Sequence, residues 1–185
     1  MTINLGIDSI EKKLSAKEEK LDKVLASNRQ VVRHCSNAIK ALHAHNMKDA
    51  KAHITDAEAL LSEIRAYEDD FPSQINHVLQ EYAEARIVLL AVEGKKIPSY
   101  AQLKVGEISY LNGLLDSVGE LKREMYECLR HRKKEEAEQY FEMMEAIYDA
   151  LLSLRFSNAI LPEFRRKQDV ARMQIEQARG ELLRA

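Results

Sequence analysis

The chain has 185 residues, the size of one domain, and its 28 Lys and Arg nearly balance its 30 Asp and Glu for a formal net charge of −2. That balance excludes a globally basic nucleic-acid binder, so any nucleic acid would have to be met by a local patch. Hydrophobic residues make up 45%, enough for a core, while six glycines and three prolines leave little room for long loops or a many-stranded sheet.

Residues 1–10 read as a flexible arm in front of a single helical domain that takes up the rest of 1–185. The first twenty residues, MTINLGIDSIEKKLSAKEEK, are too charged for a secretory leader. Cys35 and Cys128 are isolated, with no CxxC pair, and are expected to be buried small hydrophobes in a reduced, cytoplasmic protein. The longest apolar run, 87–92, is far too short to cross a bilayer, so no membrane association is expected.

From about Ser9 or Ser15 to His45 the pattern is one long helix, with Leu14, Leu21, Val24, Leu25, Val31, Val32, Ile39 and Leu42 at helical spacing. Asn46 breaks it and can cap a second helix over about 47–67, which turns Ala50, Ile54, Ala57, Leu60, Leu61 and Ile64 inward. Asp69-Asp70-Phe71-Pro72 signals a third start, with Pro72 in the first turn. That helix runs to 92 or 93, where Gly94 suits the left-handed C-terminal position. After the loop 95–98, Ser99-x-x-Gln102 forms a capping box for a short helix that Gly106 ends. A fifth helix covers about 107–131. A sixth covers 133–156, with Tyr140, Met144, Ile147, Tyr148, Leu151 and Leu154 inward. Pro162 opens a seventh over about 162–183. No strand alternation occurs, so the expectation is an all-α antiparallel bundle of about seven helices.

The fifth helix contains YLNGLLDSVGEL, 110–121. Gly113 and Gly119 lie inside a run of good helix formers, where each costs roughly 1 kcal/mol against alanine. Something must therefore approach the backbone closely there. Asp116 and Glu120, at i,i+4, share one face. That face points away from the stripe of Leu111, Leu114, Leu115, Val118, Leu121 and Met125. The third helix carries Glu81 and Glu84, at i,i+3, opposite Ile75, Val78, Leu79 and Tyr82. One turn on, the same face carries Val88 and Val92, and 87–92 is apolar all round, so these carboxylates sit at the edge of a buried region. An unpaired buried carboxylate is costly and calls for a cation. The two helices are read as meeting and pooling four carboxylates around Mg²⁺. The competing reading is a pair of solvated faces, since such acidic pairs are abundant in a chain that is 31% charged.

The other signals are weaker. His43-x-His45 does not share a helix face, and no Glu-x-x-His occurs, which removes the usual di-iron signature. His77, one turn before Glu81, is weighed as a surface or packing residue ahead of a supporting contact behind the acids. Arg29-x4-His34 matches the loose spacing used by some metal-independent helical ribonucleases and is read as a chance match in a basic helix. Met125, Met143, Met144 and Met173 read as core or interface filler.

Three segments carry a resemblance. They are Ser27-Asn28-Arg29 with Ser36-Asn37-Ala38-Ile39-x-x-Leu42-His43, then LQEYAEA at 79–85, then Tyr110-Leu111-x-Gly113-x-x-Asp116-x-x-Gly119-Glu120-Leu121. Over roughly 20–180 the chain resembles the translin/Trax family. The resemblance implies an all-α fold of about seven helices that assembles into a closed, barrel-like homo-oligomer, an octamer or hexamer, with RNA inside. It implies Trax-type endoribonuclease activity with Glu81, Glu84, Asp116 and Glu120 as catalytic and metal-binding residues, and Mg²⁺, or Mn²⁺ in its place, as cofactor. The implied substrate is single-stranded RNA or RNA strands, duplex included, held within the shell, with single-stranded DNA as a further partner. The alternative is a non-catalytic RNA- or single-stranded-DNA-binding protein of translin type. The chain is shorter than the eukaryotic Trax subunits and lacks their long insertion before the central helix, so a separate translin partner does not follow.

Arg29, Arg33, Arg86, Lys122 and Arg123 lie on or near the acid-bearing helices and are the RNA-binding candidates. Each could equally be a solvated charge or, for Arg86 and Arg123, a salt-bridge partner. Arg165-Arg166-Lys167 is the densest basic run and fits subunit interface or plain surface equally. With no aromatic platform in view, backbone contact is expected rather than base readout.

Overall fold

A computed structural model describes residues 5–185. Its helices are α1 (Ile7–His43), α2 (Met47–Ile64) with a 3₁₀ turn at Arg65–Tyr67, α3 (Pro72–Val92), α4 (Tyr100–Leu103), α5 (Glu107–Arg130), α6 (Lys134–Leu152) and α7 (Phe164–Arg184). No strand occurs among the described residues. Nor is any described helix long and apolar enough to cross a membrane.

The local signals act as their chemistry requires at most boundaries. The Asn46 side chain accepts from the Asp49 amide at 3.2 Å and starts α2. Pro72 occupies the first turn of α3, and Gly94 beyond its end has φ 66°. Ser99 and Gln102 close a reciprocal capping box on α4. Four boundaries differ from expectation. The helix α1 begins at Ile7, so the part of the expected arm at 7–10 is helical, while residues 1–4 lie outside the described residues. Lys104, at φ 55°, takes the left-handed stop after α4; Gly106 is extended and caps α5 instead. The helix α6 ends at Leu152, four residues early. Pro162 precedes α7, which starts at Phe164 after a left-handed Glu163.

Packing is built around α3, which lies against α1, α2 and α5, while α5 carries α6 and α7 on its other sides and α2 pairs with α1. Ile75, Val78, Leu79, Ala83, Ala85, Ile87, Val88 and Leu89 of α3 are all buried. Each large aliphatic there stabilises the fold by about 1.5–3 kcal/mol through burial. The expected inward positions of α1 hold from Val24 onward, but Leu14 is 62% exposed and Leu25 is at the surface. The first two turns of α1 overhang the bundle, and among the described residues Ile7, Ile10 and Leu14 are left exposed.

Two contacts set how α5 sits on α3. The Ser109 hydroxyl donates to the Asn76 carbonyl at 2.8 Å. At Gly113 a Cβ would meet Ala83 Cβ at 2.9 Å, the Gln80 carbonyl oxygen at 3.0 Å and the Glu84 nitrogen at 3.1 Å. The helix backbones therefore touch where a side chain would hold them apart, and the segment of α5 bearing Asp116 and Glu120 is drawn onto the segment of α3 bearing Glu81 and Glu84. At Gly119 the neighbour is softer: a Cβ would meet the Gln174 side-chain amide of α7 at 3.0 Å.

Candidate functional site

Glu81 and Glu84 from α3, Asp116 and Glu120 from α5, and Arg166, Lys167 and Gln174 from α7 line one cleft of about 460 Å³. All four predicted acids thus face a common space on one side of the bundle, as the close packing at Gly113 requires. His77 and Gln80 complete its α3 wall.

The acids of α5 are held by basic or amide groups of the chain itself. The Lys167 ammonium donates to Asp116 Oδ1, and the Gln80 amide donates to Asp116 Oδ2 at 2.8 Å. Glu120 accepts from His43 Nε2 at 2.6 Å, and the other ring nitrogen, Nδ1, binds Glu124 Oε1 at 2.5 Å. His43 comes from the last turn of α1, so one imidazole ties that helix to two carboxylates one turn apart on α5. Burial opposes charge on this ring, but the hydrogen bonds to Glu120 and Glu124 outweigh it and raise its pKa to about 9. His43 is an imidazolium at neutral pH, donating through both nitrogens. The same hydrogen bond from His43 holds the Glu120 carboxyl below its usual range, against the opposing effect of burial.

The acids of α3 differ. Among the described residues neither Glu81 nor Glu84 has a salt-bridge partner. Burial, then the negative charges of Asp116, Glu81 and Glu120, push the Glu84 carboxyl up to about 8, with Lys167 offsetting only part of this. With all four carboxyls ionised, the cleft would carry more negative charge than Arg166, Lys167 and His43 offset. Behind it, Cys35 is buried, and burial followed by the charges of Glu81 and Glu84 pushes its thiol up to about 12. That cysteine is a protonated core residue, as is buried Cys128 in kind.

The basic candidates are scattered. Arg29 and Arg33 line a separate groove between α1 and α3, of about 640 Å³, which shares His77 with the acidic cleft. Arg86 faces α2, 3.9 Å from Glu58. Lys122 donates to Gln177 at 2.7 Å and lies over the Tyr126 ring. Arg123 is exposed and acts electrostatically on His43 and Glu120. None of these five lines the cleft.

The cations that do reach it, Arg166 and Lys167, belong to the basic run whose density was visible in the sequence but whose direction was not. Glu124 carries no signal in the sequence, and His43, 81 positions away, meets it only through the fold. Among the described residues, the set of three ligand atoms found within 4.8 Å of one another lies elsewhere, at His34, His53 and Asp56 on α1 and α2.

No family model matches the chain. It is 28% identical to an uncharacterized protein of Methanocaldococcus jannaschii over 98% of this chain and 81% of that protein. The solved structure of AfC3PO with duplex RNA matches at TM-score 0.88 and 27% identity, over 97% of this chain and 95% of the other. A crystal structure of AfC3PO matches with the same TM-score and identity, over 97% and 96%. Apo-NeC3PO, at 23% identity and TM-score 0.87 over 99% and 98%, shares the fold. With the same fold over nearly the whole length of both chains, the chain is translin/Trax-like.

Proposed function

We propose that this chain is a metal-dependent endoribonuclease, cleaving RNA strands held inside a homo-oligomeric shell. The observation that carries the reading is the cleft in which Glu81, Glu84, Asp116 and Glu120 face one another with Arg166 and Lys167 at its α7 wall. That AfC3PO has been solved with duplex RNA supports RNA as the ligand. The exposed apolar stripe of Ile7, Ile10 and Leu14 on the overhanging start of α1 supports assembly with further copies.

The donor set fits Mg²⁺, or Mn²⁺ in its place. It is made of hard carboxylate oxygens, and burial, reinforced by the charges of Asp116, Glu81 and Glu120, raises the Glu84 carboxyl to about 8, so a bound cation would favour its ionised form. The four acids would hold the ion. When bound, it supplies a polarised phosphoryl oxygen and a water acidic enough to act as nucleophile near neutral pH. The protein's own part is positioning. His43 pins Glu120 against α5 and holds Glu124 behind it, so the carboxylate keeps one orientation. Lys167 and Arg166 would meet the RNA phosphate, and Lys167 would exchange Asp116 for it. Arg29 and Arg33, along the neighbouring groove, would carry the strand beyond the cleft by backbone contact.

The second reading, a non-catalytic RNA binder, has one observation in its favour: the Lys167–Asp116 pair already satisfies that carboxylate. Labelled single-stranded RNA incubated with the protein, with Mg²⁺ and with EDTA, separates the two. Mg²⁺-dependent internal cleavage is expected; binding with no cleavage under either condition selects the binder. Light scattering at micromolar concentration is expected to give a multimer, and a monomeric mass with and without RNA would remove the shell.

A further inference from the structure

On α1 and α2, outside the lining of the acidic cleft, His34, His53 and Asp56 bring one donor atom each to within 4.8 Å of one another. His34 stands in the middle of α1. His53 and Asp56 stand at i,i+3 on α2, so they share a face. The two imidazole Nδ1 atoms are 3.2 Å apart, and His34 Nδ1 is 3.5 Å from Asp56 Oδ2. In that arrangement one ring nitrogen must donate and the other accept, so a single proton is shared between two groups that are each good metal ligands.

The separations match a coordination polyhedron. Zinc–nitrogen and zinc–carboxylate bonds of about 2.0–2.1 Å place neighbouring ligand atoms of a tetrahedron about 3.4 Å apart. Both measured separations fall within about 0.2 Å of that edge. The rings are tilted at 60° with centroids 5.3 Å apart, so they do not stack. Both histidines are half-buried and Asp56 is exposed, which leaves an entry path and a fourth position for water.

We propose that His34, His53 and Asp56 form a transition-metal site of two imidazoles, one carboxylate and a water, suited to Zn²⁺, that clamps α1 to α2. It is distinct from the acidic cleft in place and in chemistry. Imidazole ligands suit zinc and its neighbours, whereas the all-carboxylate cleft suits Mg²⁺ or Mn²⁺. The clamp does not depend on the ribonuclease reading.

Calorimetric titration of the full, untagged chain with Zn²⁺ tests the site, using wild type, His53→Gln, Asp56→Asn and Glu84→Gln. With the acidic cleft kept saturated by excess Mg²⁺, one Zn²⁺ equivalent per chain is expected in wild type and in Glu84→Gln. His53→Gln should lose it and Asp56→Asn should weaken it about tenfold or more. With Co²⁺ as the probe, wild type should show the intense visible bands of tetrahedral ligation and His53→Gln should not. Asp56 is exposed, so its variant keeps the test open if His53→Gln misfolds. No Zn²⁺ equivalent in wild type, or one that survives unweakened in both clamp variants, or one lost only in Glu84→Gln, overturns the proposal.

Discussion

The two acidic pairs of the cleft sit opposite each other and live in different electrostatic conditions. On α5, Asp116 has Lys167 and Gln80, and Glu120 has the His43 imidazolium. On α3, Glu81 and Glu84 have no such partner among the described residues, and Glu84 is forced toward its neutral form. The α5 acids come with cations delivered by α1 and α7; the α3 acids meet only the field of their neighbours. What this teaches is that the fold neutralises one wall of the cleft and leaves the other for a ligand of positive charge. The wall that the protein leaves uncompensated is where an added cation has most to gain.

The sharpest way to break this contrast is to remove one charge from each wall. Asp116→Asn and Glu84→Gln should each lower Mg²⁺-dependent RNA cleavage by several orders of magnitude, read as initial rate at saturating RNA. RNA affinity should hold or tighten, because fewer negative charges face the phosphates. Full activity in both variants would sink the catalytic assignment.

The next largest effect is on stability. His43→Ala leaves Glu124, whose side chain is only 4% exposed, buried without its cation. Breaking a buried pair from one side costs about 3–5 kcal/mol, read as a lower urea midpoint at unchanged slope. A midpoint equal to wild type would show that Glu124 is satisfied without His43.

The pH dependence follows from the same two groups. The Glu84 pKa rises from 4.5 unfolded to about 8 folded, so the native state binds more protons in between. Its favourable contribution is complete below 4.5 and lost as pH climbs toward 8. His43 rises from 6.5 to about 9, so its contribution is complete below 6.5 and lost as pH passes 9. Thermal melts without divalent ions should therefore fall in Tm from about pH 5 to pH 9. Glu84→Gln should flatten the part below pH 8, and Mg²⁺ should restore Tm most at the alkaline end. A wild-type Tm that rises with pH over this range would contradict both shifts.

The two glycines differ in what each one meets. Gly113→Ala drives a methyl into α3 backbone and should cost about 1–3 kcal/mol, with activity lost as the two walls separate. Gly119→Ala meets only the end of the Gln174 side chain, which can swing away. Its helix-propensity gain of up to about 1 kcal/mol should leave stability level or raised. Equal costs at the two positions would show that Gly113 is not where the helices touch.

Much of this was legible in the residues. Helical periodicity, the Asn46 cap, the Ser99–Gln102 box and Pro72 act within one or two turns of chain, so local physics places them. The two glycines flagged a close approach for the same reason, although only the packed structure shows that Gly113 meets backbone and Gly119 a side chain. The overhang at Leu14 was not legible, because an apolar helix stripe looks the same whether its own bundle or nothing covers it. Arg86 and Lys122 illustrate the same loss. Their helices were right, but the faces that turn them to Glu58 and Gln177 depend on how helices are rotated in the bundle.

By itself the sequence determined an all-α chain, the order of its helices, and the two acidic pairs on α3 and α5, because each rests on contacts within about four residues. The tertiary structure alone decided that His43, Glu124 and Lys167 join those acids, and that His34 meets His53 and Asp56. Those partners lie 19 to 81 positions apart along the chain. Electrostatic coupling falls off through space, not along sequence, so which charges neutralise one another is settled only when the helices pack.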